Sequence, residues 1–124
     1  MLKKNRGQTL VMLLIYIVIA IIITTSAVAI VIVNSKGTDK LYQGTTAFDV
    51  AESGAETAMI KLLRDPAYTG ESLTLNGGTA TITITGTNPK TVTSKGTLGN
   101  FTRTVQATVD TSNNVLTVTS WKEQ

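Results

Sequence analysis

The chain has no cysteine and no histidine among its 124 residues. Without thiols it forms neither a disulfide framework nor a thiolate nucleophile, and without both residue types the usual zinc ligand sets are excluded, so no metal site is expected. Proline occurs only at Pro66 and Pro89, so nothing before Pro66 forbids a continuous helix. Aromatic residues make up 5% of the chain, and beyond residue 65 they are Tyr68, Phe101 and Trp121. Charge is sparse as well. Eleven Lys+Arg face eight Asp+Glu, but Lys3, Lys4 and Arg6 sit in the first six residues, leaving eight against eight from Gly7 onward. The basic excess therefore belongs to the N-terminal tip. A nucleic-acid interface needs basic residues concentrated on the folded part, so no nucleic-acid partner is expected.

From Gly7 to Val33 there is no charged residue. Leu10 to Val33 is a run of 24 residues, 16 of them Leu, Ile or Val. At a helical rise of about 1.5 Å per residue, such a run reaches roughly 36 Å, enough to cross a hydrocarbon core of about 30 Å with some tilt. Each Leu, Ile or Val is worth roughly −0.3 to −0.6 kcal/mol at mid-membrane, so the gross insertion term is on the order of −5 to −10 kcal/mol. Lys3, Lys4 and Arg6 hold the preceding end on the cytoplasmic side by the positive-inside bias, which puts the C-terminal part on the other side. Ala27-Val28-Ala29 fits a signal peptidase tripeptide, but Ile30-Val31-Ile32-Val33 follows, so it lies inside the apolar run and not at its polar exit.

Past the run, Asn34-Ser35-Lys36-Gly37-Thr38-Asp39 reads as a polar hinge. From Leu41 onward, apolar and small residues recur at Leu41, Gly44, Phe48, Ala51, Ala55, Ala58 and Leu62, alternating steps of three and four. That stripe is shallow, so a flat partner such as a sheet is expected to lie on it, with Leu41, Phe48, Ala51, Ala55 and Leu62 as the packing residues. Lys61 and Arg64 favour the C-terminal dipole, and Pro66 biases Asp65 out of the helix.

The remainder changes to a period of two. Leu73 and Leu75 alternate with polar neighbours, Gly77-Gly78 is a two-residue hairpin signal, and Ala80, Ile82 and Ile84 alternate with threonines. Gly86 to Pro89 reads as a loop, Thr91 to Thr93 as a short strand and Gly96 to Asn100 as a turn region. Phe101 to Asp110 alternates again, and Thr111 to Asn114 turns the chain into Val115 to Trp121. The expected architecture is α+β: a long N-terminal helix, transmembrane and then amphipathic, packed on four to five antiparallel strands. The segments are a basic leader (1–7), an apolar half-helix (8–34), an amphipathic half-helix (35–65) and a sheet domain (66–124). By alternation Arg103 shares the inward face with Phe101, Val105, Ala107 and Val109, so it needs a carboxylate. Glu52, about 40° from Phe48 on the helix, is the expected partner, with Glu56 in reserve. Glu52 and Glu56 are otherwise like charges on a solvated face. Asn100-Phe101-Thr102 is a glycosylation sequon read here as accidental.

The short basic leader Lys3-Lys4-Asn5-Arg6-Gly7, followed at once by Gln8-Thr9-Leu10-Val11-Met12-Leu13-Leu14, is similar to a prepilin peptidase site. Ala47-Phe48-Asp49-Val50-Ala51-Glu52-Ser53-Gly54 looks like a stretch of PilX-type minor pilins. As an architecture the whole chain resembles a type IV prepilin, a family that includes the pseudopilins of type II secretion. The resemblance implies cleavage after Gly7, methylation of the new amine on Gln8, and assembly into a filament through the N-terminal helix. The implied partners are other pilin subunits, prepilin peptidase, inner-membrane assembly machinery and the bilayer before assembly. The family usually carries a glutamate at the fifth mature position, which here is Met12, and subunits lacking it resemble those at a filament tip or in the initiating complex. The runner-up reading is a single-pass membrane-anchored extracytoplasmic domain that does not assemble. No carboxylate pair, Ser/His set or phosphate loop is placed for catalysis, since Gly70, Gly77 and Gly78 lie at turns. A non-enzyme without a cofactor is expected.

Overall fold

The computed structural model describes Leu2–Gln124, with side chains from Gly7 onward. One helix, α1 (Leu2–Arg64), precedes five strands: β1 (Ser72–Leu75), β2 (Gly78–Thr85), β3 (Lys90–Leu98), β4 (Phe101–Ser112) and β5 (Val115–Glu123). The chain divides into two compact units, Met1–Asp39 and Lys40–Gln124. The layout is α+β, as expected. No break occurs at Asn34–Asp39: the helical assignment continues through it, and the Thr38 hydroxyl donates back to the Asn34 carbonyl at 3.1 Å. Polarity alone does not interrupt a helix when every amide still finds its i−4 carbonyl. The helix stops where Pro66 requires it, with the Asp65 amide donating to Lys61 O at 2.7 Å.

The strands form one antiparallel sheet in the order β1-β2-β3-β4-β5, each joined to the next by a short turn. The first hairpin differs by one residue from the expectation. Leu75 pairs with Gly78, so the turn residues are Asn76 and Gly77, both at positive φ (49° and 77°), and Gly78 opens β2. A two-residue turn of this hand requires positive φ at both central positions, which Asn-Gly meets at less cost than most pairs. Asn113 and Asn114, at φ 55° and 61°, make the same kind of turn between β4 and β5.

The larger correction concerns Gly96. It is not part of a turn: it lies within β3, paired with Ala80 on β2 and Arg103 on β4. A Cβ built there would strike the Ala47 carbonyl and lie 2.9 Å from Ala51 Cβ. Gly96 is thus the point where helix backbone rests on sheet backbone, a use of glycine that local pattern does not distinguish from a turn. Gly54 is the helix's counterpart: a Cβ built there would strike the Ser94 hydroxyl and lie 2.8 Å from Ala80 Cβ.

The core follows from this close approach. Ala58, Leu62, Ile82, Val92, Ala107 and Val109 are buried together, with Met59, Tyr68, Leu73, Ile84 and Leu116 packed around them. Ala51, Ala55 and Val105 form a second cluster with Phe48. Of the expected packing stripe, Ala51, Ala55 and Leu62 are buried and Phe48 is half-buried. Leu41 is a correction, at 73% exposed. Ala47, Val50 and Gly54 are buried instead, on a flank the stripe did not include. The opposite sheet face carries Thr79, Thr81, Thr83, Thr85 and Thr102, all exposed, as alternation predicts.

Candidate functional site

In the first unit the feature that demands a function is exposed apolar surface. Leu10, Met12, Ile15, Ile22 and Val31 are each more than half exposed, and no described residue from Gly7 to Gln43 is buried. A helix apolar on all sides is a membrane span or the core of an assembly. α1 holds one stretch long and apolar enough to cross a membrane. Three hydroxyls in the middle of it are already satisfied. Thr24, Thr25 and Ser26 donate their hydroxyls to the carbonyls of Ala20, Ile21 and Ile22 at 2.5, 2.7 and 2.8 Å, so none demands water inside hydrocarbon.

Gly7 and Gln8 lie on the helix, and a Cβ at Gly7 would meet nothing within 4 Å. A helix-interior glycine costs about 1 kcal/mol relative to alanine, so neither packing nor backbone conformation accounts for glycine there. Gly37 is equally unaccounted for, whereas Gly44 and Gly54 each have side chains within 4 Å. Met12 is 67% exposed, one apolar residue among many. The leader charges Lys3, Lys4 and Arg6 lie outside the residues whose side chains are described.

In the second unit, two polar clusters tie elements together. Lys61, in the last turn of α1, bonds and ion-pairs with Glu71 just before β1, and the Tyr68 hydroxyl donates to the same carboxylate oxygen at 2.8 Å. The Lys61 ammonium also stands 5.6 Å from the centre of the Tyr68 ring. The bond from Lys61, then that from Tyr68, hold the Glu71 carboxyl below its usual range. Burial, followed by the bond to Glu71 and its charge, pushes the Tyr68 phenol up to about 12. This lock fixes the helix exit against the first strand, and the sequence reading contained no trace of it.

The second cluster corrects the expected ion pair. Arg103 does point to the helix side of the sheet, with Nη2 3.7 Å from a Cβ built on Gly44. Its partner is Glu123 at 3.0 Å, not Glu52. β5 lies directly beside β4 and carries Glu123 to Val105, one inward-facing position from Arg103. The two side chains are 50% and 44% exposed, so Arg103 is not the buried cation the alternation implied, and the pair contributes about 1 kcal/mol or less. Lys40, Leu41, Gly44, Phe48 and Phe101 line a cleft of about 240 Å³ with this pair at its rim. Among the described residues no cluster of three or more Asp or Glu could hold a metal ion.

Comparison with protein-family models, with curated proteins and with solved structures finds no match for this chain.

Proposed function

We propose that this chain is a structural subunit of a type IV pilus-like filament, of the minor pilin or pseudopilin kind, made as a single-pass membrane protein and cut after Gly7. The observation that carries the reading is the junction at Gly7-Gln8: a glycine that packing does not explain, with three basic residues before it and a charge-free apolar helix after it. A chain that stays in the bilayer has no need to lose Lys3, Lys4 and Arg6. A chain that enters an apolar filament core does, because each charge resists burial there by several kcal/mol. The small sheet domain on the far half of the same helix supports the reading by giving each subunit an outward-facing head. On this proposal the protein's role is architectural, its partners are neighbouring subunits and the processing and assembly machinery, and it passes from the cytoplasmic membrane to an extracytoplasmic filament.

Met12 favours one refinement. A tip or initiating subunit has no neighbour above it whose amine needs a carboxylate, so methionine at that depth carries no electrostatic penalty. The same residue is what the runner-up, a membrane-anchored domain that never assembles, also predicts. Mass-spectrometric reading of the native N-terminus distinguishes them. The filament reading expects a chain beginning at Gln8, N-methylated, and a longer membrane-retained precursor for Gly7→Glu. A native chain beginning at Met1 ends it.

A further inference from the structure

The cleft of about 240 Å³ beside the Arg103–Glu123 pair has walls of two kinds. Leu41, Phe48 and Phe101 supply apolar surface, and Gly44 between them leaves the floor open: a Cβ there would stand 3.7 Å from Arg103 Nη2 and 3.9 Å from the Phe101 ring. The charges do not cancel. Lys40 and Arg103 line the cleft against a single carboxylate, Glu123, and Asp39, the acid next to Lys40 in the chain, does not line it. Arg103 bonds Glu123 through Nη1, which leaves Nη2 without an acceptor among the described residues. Lys40 has no hydrogen-bond or ion-pair partner among them either.

Guanidinium and ammonium groups only donate, so the cleft offers unused donors and net positive charge over an apolar floor. That combination suits a ligand with an anionic head and an apolar body. Position in the chain says where such a ligand is found. Lys40 follows Val33, the last residue of the apolar run, by seven residues, about 10 Å of helical rise. The polar layer outside the hydrocarbon of a bilayer is about 5 to 8 Å deep on each side, and a lysine side chain reaches back toward it along apolar surface. Tyr42, 70% exposed, is of the residue type enriched at that level.

We propose that this cleft binds the headgroup of an anionic phospholipid from the adjoining leaflet, with the phosphate between Lys40 and Arg103 and the glycerol and upper acyl chain against Leu41, Phe48 and Phe101. Each cation near an anionic lipid surface strengthens binding roughly fivefold. The two differ in kind. Arg103 presents a planar fork whose free side faces the cleft, and Lys40 a mobile point charge at its rim. Glu123 sets the choice of head: it leaves a net charge of one, which a phosphodiester monoanion neutralises, whereas a zwitterionic head brings a cation to a carboxylate already bonded to Arg103. Bound lipid then ties the sheet domain to the membrane surface. The proposal rests on the membrane span, which both readings above share, and not on processing at Gly7.

The absence of native cysteine makes the test clean. Thr45 is exposed and lines the cleft, while Gln43 is exposed outside it. Full-length Thr45→Cys and Gln43→Cys chains are placed in nanodiscs of phosphatidylcholine alone, or of phosphatidylcholine and phosphatidylglycerol in equal parts, and alkylated with uncharged N-ethylmaleimide. Phosphatidylglycerol should slow the reaction at Thr45→Cys about fivefold more than at Gln43→Cys, which reports surface charge alone. Lys40→Gln, which leaves the Arg103–Glu123 pair in place, should abolish the difference, and Arg103→Gln should do the same. Four results overturn the proposal: no slowing, equal slowing at both cysteines, a difference that persists in Lys40→Gln, or the same difference in phosphatidylcholine discs given soluble glycerol phosphate, which would make the ligand a free anion. Neither cleavage at Gly7 nor assembly enters these rates, so a failure here is separate from a failure of the filament reading.

Discussion

The two halves of α1 obey opposite rules about side-chain size. In the first unit the residues are large and branched, and they stand exposed: Leu10, Ile15, Ile22 and Val31 are each more than half accessible. In the second, the residues that face the sheet are small, and Ala47, Ala51, Ala55 and Ala58 are fully buried. The difference is in what each half packs against. Lipid or neighbouring helices fill space around any apolar surface, so bulk adds transfer free energy there. A sheet presents a fixed backbone plane, so close approach and native packing density require that bulk be removed. Apolar content alone thus says little about how a helix is used, and residue volume says more.

The sharpest way to break this comparison is to add volume in the packed half. Gly96→Val drives two methyls into the Ala47 carbonyl and Ala51 and should cost about 3 kcal/mol, read as a fall in the denaturant midpoint of sheet unfolding in detergent. Gly37→Ala, on open helix surface, should instead stabilise by up to about 1 kcal/mol. Equal resistance of the two sites would show that helix and sheet do not meet as described. In the first half charge, not volume, is the test. Ile22→Lys should cost about 3 kcal/mol of insertion, measured as loss of the chain from carbonate-washed membranes, while Ile22→Ala should leave it there.

Smaller effects sharpen the boundary between the halves. Phe48 is half-buried and Leu41 largely exposed, so Phe48→Ala should cost about 2 kcal/mol and Leu41→Ala about 0.5 kcal/mol or less. Reversed values would move the helix–sheet contact one turn toward the exposed apolar half. Ser94 is fully buried with its hydroxyl unpaired against Gly54, so Ser94→Ala should stabilise by about 1 kcal/mol in the same denaturation assay.

The smallest effect is in pH. Glu71 has a folded pKa below its unfolded value, so the stability it contributes is complete above the unfolded carboxylate pKa and fades as pH falls through that value toward the folded one. Tyr68 runs the other way: its folded pKa is raised, so its contribution is intact below the unfolded value near 10 and is lost as pH climbs toward about 12. Glu71→Gln should flatten the acid limb of a melting-temperature profile, and an unchanged limb would assign the acid sensitivity elsewhere. In a spectrophotometric titration the phenol that Tyr68→Phe removes should be one that ionises only as pH approaches about 12.

Much of this molecule was legible along the chain. A charge-free run of 24 residues from Leu10 to Val33, the switch from a helical period to a period of two near Ser72, Pro66 as the helix stop and Asn113-Asn114 in a turn are local properties. They follow from rise per residue, side-chain direction and allowed φ, which neighbours along the chain determine. What only the tertiary structure decided are relations across space. Gly96 reads as a turn residue until a helix backbone lies on it, and Leu41 reads as core until the sheet fails to reach it. Arg103 called for a carboxylate, but the sequence did not number the strand beside it, so Glu52 was expected where Glu123 stands. One inserted residue, Thr119, turns Trp121 to the same face as Val118, an inversion that period-two counting cannot register. Each case has the same physical cause: contact energies act over a few ångströms between segments many residues apart, and nothing local in a sequence carries that distance.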